Sequence, residues 1–74
     1  MRRIATLESI GERVAKLRRE RSLTQEQLAE KAGVSRNHIA DIELGTRNTG
    51  VWSFFLLARA LGVTVSELFR GLPS

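Results

Sequence analysis

The chain has 74 residues, and a domain of about this size withdraws only roughly 60% of its unfolded surface from water, which leaves room for one small domain with a thin core. It contains no cysteine, so a disulfide framework, a thiolate metal site and thiol redox chemistry are excluded. Lys and Arg total 12 against 8 Asp and Glu, for a net charge of +4; arginine, suited to bidentate contacts with phosphate and guanine, supplies nearly all of the cations, so nucleic acid is the favoured partner class.

No apolar run approaches the roughly 20 residues that span a bilayer, and no signal-peptide apolar segment opens the chain, so the expectation is a soluble, cytoplasmic protein with no membrane partner. Residues 1–6 carry Arg2 and Arg3 with little apolar material and read as a flexible basic arm, solvated in preference to DNA-bound. Leu7, Ile10, Val14 and Leu17 follow at spacings of three, four and three, which predicts an amphipathic helix over about Leu7 to Arg21. Its start is open: Thr6 could cap it directly, and Ser9 with Glu12 also fits a capping box.

Thr24 with Gln27 forms a clearer capping box, T-x-x-Q, in which each residue satisfies an amide donor of the other. Leu28 and Ala32 lie one turn apart, and Gly33 suits the backbone reversal that ends a helix, so this helix stops at Ala32 or Gly33. Ser35 is a good N-cap for a second helix, whose Ile39 and Ile42 form the buried stripe and which ends at Leu44-Gly45. Helices joined by so short a turn cross closely, and Ala29 reads as the small residue at the crossing.

With Gln25 opening the first of these helices, Ala29 in its middle, Gly33 at the turn, Ile39 inside the second and Glu43-Leu44-Gly45-Thr46-Arg47 after it, the segment 24–44 closely resembles the Cro/C1-type helix-turn-helix family. The resemblance extends over nearly the whole chain. It implies an all-α, compact five-helix, lambda-repressor-like DNA-binding domain over 7–70, whose second motif helix enters the major groove while the first crosses the backbone. It further implies that Arg18 pairs with Glu43 as a structural ion pair, that Gln25 meets the DNA backbone and that Arg47 is a basic loop contact. The idea that Arg18 contacts DNA and Glu43 acts as a general base has no nucleophile or metal cluster beside it.

At about 100° per residue, Ile39 and Ile42 face inward and Asn37 and Asp41 outward, with Arg36 and Ala40 beside them. Arg36 can donate twice to guanine, Asn37 can match adenine, and Ala40 can touch a thymine methyl. Asp41 repels phosphate, and either accepts from a cytosine amino group or orients a neighbour such as Asn37. These four are the candidate base contacts; a merely solvated helix face is the competing reading. The candidate phosphate contacts are Gln25 at a helix N-terminus, Ser35, and Thr46, Arg47 and Asn48 in the polar loop. His38 and Asp41 supply two metal ligands where a site needs three or four, so no metal, cofactor, catalytic residue or small-molecule ligand is expected.

Val51, Phe54, Ala58 and Leu61, helped by Leu57, form the inward stripe of a fourth helix ended by Gly62, with a weak starting cap. Its other side carries Trp52, Phe55, Leu56 and Arg59. Thr64 with Glu67 opens a short last helix through Val65, Leu68 and Phe69. Region 51–69 is therefore the expected dimerisation region, with Trp52, Phe55, Leu56, Arg59 and Phe69 at the interface. The resulting expectation is a homodimeric, sequence-specific transcriptional regulator on a near-palindromic double-stranded operator. An autoregulatory controller of a restriction-modification system is the favoured type, prokaryotic or phage-encoded. The alternative is an antitoxin-like or other protein-interaction module that uses the Trp52 face.

Overall fold

The computed structural model describes the backbone of residues 2–47 and 49–70, with side chains from Leu7 onward. Five helices follow in order among the described residues: α1 (Arg2–Glu20), α2 (Gln25–Ala32), α3 (Arg36–Leu44), α4 (Val51–Leu61) and α5 (Val65–Leu68). The all-α, five-helix reading is correct. α1 starts earlier than its apolar stripe suggested, so the backbone of residues 2–6 is helical where a loose arm was expected. Nothing between Arg2 and Ser9 breaks a helix, and once a nucleus exists each added residue continues it at little cost. Residues 71–74 and Asn48 lie outside the described residues.

The remaining boundaries follow local chemistry. Thr24 and Gln27 form both bonds of the capping box that starts α2, at 3.0 Å and 2.8 Å, and Thr64 and Glu67 repeat it for α5, at 3.0 Å and 2.9 Å. Ser35 caps α3 through the His38 amide. α4 begins at Gly50 with no side-chain cap. Phe69 follows α5 as its cap residue and does not extend it.

One core unites these elements. Val14 and Leu17 from α1, Leu28, Ala29 and Ala32 from α2, Ile39 and Ile42 from α3, Phe54, Leu57, Ala58 and Leu61 from α4 and Leu68 from α5 are all buried in it. α1 packs mainly on α3, and α2 bridges α3 and α4. Two expected core and surface placements on α4 differ. Val51 is 83% exposed, because the first residue of the helix stands outside the Phe54–Leu57–Leu61 stripe. Leu56 is half-buried against the core, so it belongs less to the outer face than its spacing from Trp52 suggested.

α1 and α3 approach each other closely. A Cβ on Gly11 would collide with the carbonyl oxygens of Ile42 and Glu43, the latter at 2.6 Å. One residue beyond α3, Gly45 takes φ +74 with Glu8 backbone so near that a Cβ would sit 2.8 Å from it. Both positions therefore require glycine, Gly11 for space and Gly45 for space and backbone conformation together.

Candidate nucleic-acid interface

α3 has one face committed to the core. Ile39 is fully buried and Ile42 nearly so, which fixes the rotation of the helix and turns Arg36, Asn37, Ala40 and Leu44 outward. Arg36 and Asn37 are exposed on the first turn, and Ala40 is half-buried behind them. Among the described residues Arg36 has no ion-pair partner. An unengaged guanidinium and a carboxamide side by side on an exposed helix turn can each make a bidentate contact with the edge of a base. Leu44, on the same outward arc at the other end of α3, is 67% exposed; in the sequence it marks only the end of the helix.

The helix is held in place from behind by Glu43, which lies in the last turn of α3 and not after it. Arg18 Nε donates to Glu43 Oε2 at 2.7 Å and Arg18 Nη2 donates to Glu43 Oε1 at 3.2 Å. Arg18 Nη1 donates to the Leu23 carbonyl at 2.8 Å. Gln25 Nε2 adds a third bond to Glu43, at 2.9 Å. This cluster joins α1, the start of α2 and the end of α3, so the Gln25 side chain is engaged inside the motif.

A second set of contacts fastens the loop after α3. The Asp41 carbonyl accepts from the Thr46 amide at 3.0 Å and from the Thr46 hydroxyl at 3.2 Å. The Asp41 carboxylate pairs with Arg47 Nη2 at 3.4 Å. Among the described residues Asp41 thus pairs with Arg47 and makes no bond to Asn37. His38 Nε2 shares a 2.7 Å hydrogen bond with Thr49 Oγ1. Among the described residues no group of three His, Cys, Asp or Glu could hold a metal ion. Ser35, Thr46 and Arg47 are exposed, as Arg36 and Asn37 are; Asn48, the other loop candidate, lies outside the described residues.

On α4, Trp52 is 68% exposed and stacks on Phe55 with ring centroids 5.3 Å apart. Phe69 is partly exposed and meets the buried Phe54 edge to face at 5.2 Å. Beside them lies an apolar hollow of about 370 Å³ lined by Phe55, Ala58, Arg59, Val63, Thr64 and Val65. Among the described residues no helix is long and apolar enough to cross a membrane.

Comparison with known proteins agrees with this geometry. The family model described as "Helix-turn-helix" matches residues 14–68. The chain is 45% identical over 60 residues to the immunity repressor protein of Bacillus phage phi105, covering 81% of this chain and 42% of that protein, so it spans less than half of that relative's length. It is 37% identical over 63 residues to the control protein C.MunI of Mycoplasma sp, covering 84% of this chain and 85% of the relative. Among solved structures, the restriction-modification controller protein C.AhdI from Aeromonas hydrophila superposes with a TM-score of 0.86 at 37% identity, covering 88% of this chain and 98% of that one. With its turn, its paired helices and the match over most of its length, the chain belongs to the Cro/C1-type helix-turn-helix family of DNA-binding transcriptional regulators, which are not enzymes.

Proposed function

We propose that the protein binds a near-palindromic double-stranded operator as a homodimer, with Arg36, Asn37 and Ala40 contacting bases and with Ser35, Thr46, Arg47, Asn48 and, through its backbone amide at the start of α2, Gln25 contacting phosphates. The observation that carries this reading is the first turn of α3, where Arg36 and Asn37 stand exposed and unclaimed on a helix whose opposite face is locked in the core. Asp41 lies at the edge of the reading surface and acts on it through Arg47, reaching a cytosine amino group only where that pair opens. The homodimer is supported by the stacked, exposed Trp52 and Phe55 beside an apolar hollow, since a chain of this size gains little from leaving a tryptophan in water. Arg59 and Phe69 complete that face, with Leu56 as its half-buried floor.

A two-fold axis through this face carries two copies of α3, and half-sites about 34 Å apart place them in successive major grooves. The likeness to C.MunI and C.AhdI, both of comparable length, supports an autoregulatory controller of a restriction-modification system, acting in the cytoplasm of a prokaryote. The competing reading, an antitoxin-like interaction module, accounts for the Trp52 face and leaves Arg36 and Asn37 without a task.

Selection of bound sequences from random DNA tests the proposal. It should yield paired half-sites that also occur upstream of the protein's own gene. Trp52→Glu should retain the helical circular dichroism signal, sediment as a monomer and lose affinity for paired half-sites far more than for one. Enrichment of no sequence, or a folded Trp52→Glu variant that remains dimeric, would refute the operator or the interface respectively.

A further inference from the structure

His38 and Asp41 are three residues apart on one face of α3, and both are turned to the loop that follows it. At the near end of the loop, Asp41 holds Thr46 through its carbonyl and Arg47 through its carboxylate. At the far end, His38 holds Thr49 by a 2.7 Å hydrogen bond between two half-buried side chains. Among the described residues, the Thr46 amide on the Asp41 carbonyl and these side-chain contacts tie the residues after Gly45 to α3. The imidazole is neither buried in the core nor directed outward with Arg36 and Asn37, and base reading gives it no role.

We infer that His38 and Asp41 are positioning residues, which fasten Thr46, Arg47 and Thr49 to α3 so that Arg47 meets phosphate in fixed register with the base contacts of Arg36 and Asn37. The inference rests on the operator-binding reading above. Its physical content is preorganisation: side chains already held in the free protein lose less freedom when DNA binds. Base reading and phosphate anchoring then move as one body. Thr49 acts through its hydroxyl on His38 and need not touch DNA.

The test measures affinity for the selected operator by fluorescence anisotropy over a salt series. Thr49→Val and His38→Leu should each weaken binding by about three- to tenfold, the size expected for one lost hydrogen bond. The double variant should be no weaker than either single one. Thr49→Ser, and His38→Gln with its amide near the position of Nε2, should recover most of the affinity. Arg47→Ala should lower the slope of log affinity against log salt by about one in the otherwise unaltered chain, and should do so less in the Thr49→Val background, where the far end of the loop is free and Arg47 keeps only its exposed pair with Asp41. A role confined to stability would leave that difference between backgrounds absent. Losses that multiply in the double variant, failure of Thr49→Ser to recover binding, or an equal Arg47 effect in both backgrounds would overturn the inference while leaving operator binding intact. If the unaltered chain selects no sequence, the operator reading falls and the inference falls with it.

Discussion

Arg18 grips Glu43 with two side-chain nitrogens while its third reaches the Leu23 carbonyl, so one guanidinium joins the first helix, the lead-in to the second and the end of the recognition helix. The Glu43 side chain is only 8% exposed and the Arg18 side chain 14%, where loss of one partner leaves the other poorly solvated. Glu43→Ala should therefore destabilise the domain by about 1.5–3 kcal/mol, the range for hydrogen bonds to charged groups, although removing an acidic residue favours DNA electrostatically. Urea denaturation checks this; unchanged midpoints for both Glu43→Ala and Arg18→Ala would remove the pair from the stability of the fold.

Gly11 invites a substitution that usually helps. Alanine in place of glycine inside a helix ordinarily stabilises by about 0.5–1 kcal/mol, but here the new methyl would strike the Ile42 and Glu43 carbonyls. Backbone cannot step aside as a flexible side chain can. Gly11→Ala should cost about 1–3 kcal/mol, as overpacking does, and should broaden the amide resonances of α3 as the crossing loosens. A more stable Gly11→Ala variant would show that α1 and α3 separate easily.

Ser22 presents the opposite case. α1 ends with the Ser22 amide bonded to the Arg19 carbonyl and the Leu23 amide bonded to the Arg18 carbonyl, and the residue in the left-handed position is Ser22 at φ 56. The same position after α2, α3 and α4 is glycine. Ser22→Gly should raise stability by about 0.5–1 kcal/mol, the left-handed penalty less the extra freedom that glycine has when unfolded. For a domain of this size that is a rise of roughly 3–6 °C in melting temperature. A lower melting temperature would mean that the Ser22 side chain contributes more than its backbone costs.

Glu67 makes stability depend on acid. The Thr64 backbone amide and hydroxyl hold its carboxyl below the ordinary glutamate value, with Arg70 and Arg13 adding attraction. A carboxyl whose pKa is depressed on folding contributes stability above its unfolded value, and that contribution is lost as pH falls through the folded value. The wild-type melting temperature should accordingly fall more steeply than that of Glu67→Gln below about pH 4.3. Parallel curves through the acid range would exclude the capping carboxylate as a source of the slope.

The helices and caps were legible in the sequence because each is specified by neighbours along the chain. Thr24 with Gln27, Gly33, Ser35, and Thr64 with Glu67 mark boundaries that the structure places within a residue. α1 was misjudged at its start because helix can continue past the last core residue wherever nothing stops it. What could not be read were contacts between elements distant in sequence. Nothing local links His38 to Thr49, Asp41 to Arg47 or Gln25 to Glu43; each requires knowing how the loop and the paired helices lie. Gly11 did leave a signal, since a glycine inside an otherwise regular amphipathic helix marks a position where backbone approaches. Leu44 left none: an apolar residue at a helix end looks the same buried or exposed.

Trp52 is the sole tryptophan of the chain, and it lies largely in water on a face remote from the buried stripe of its own helix. Its emission therefore begins close to that of a solvated indole, so unfolding has little room to shift it further to the red. Covering that face would shift it to the blue and shield it from iodide or acrylamide. The indole is thus a built-in optical reporter that is nearly silent on denaturation and responsive to association, which lets a dilution series separate assembly from folding without attaching a label.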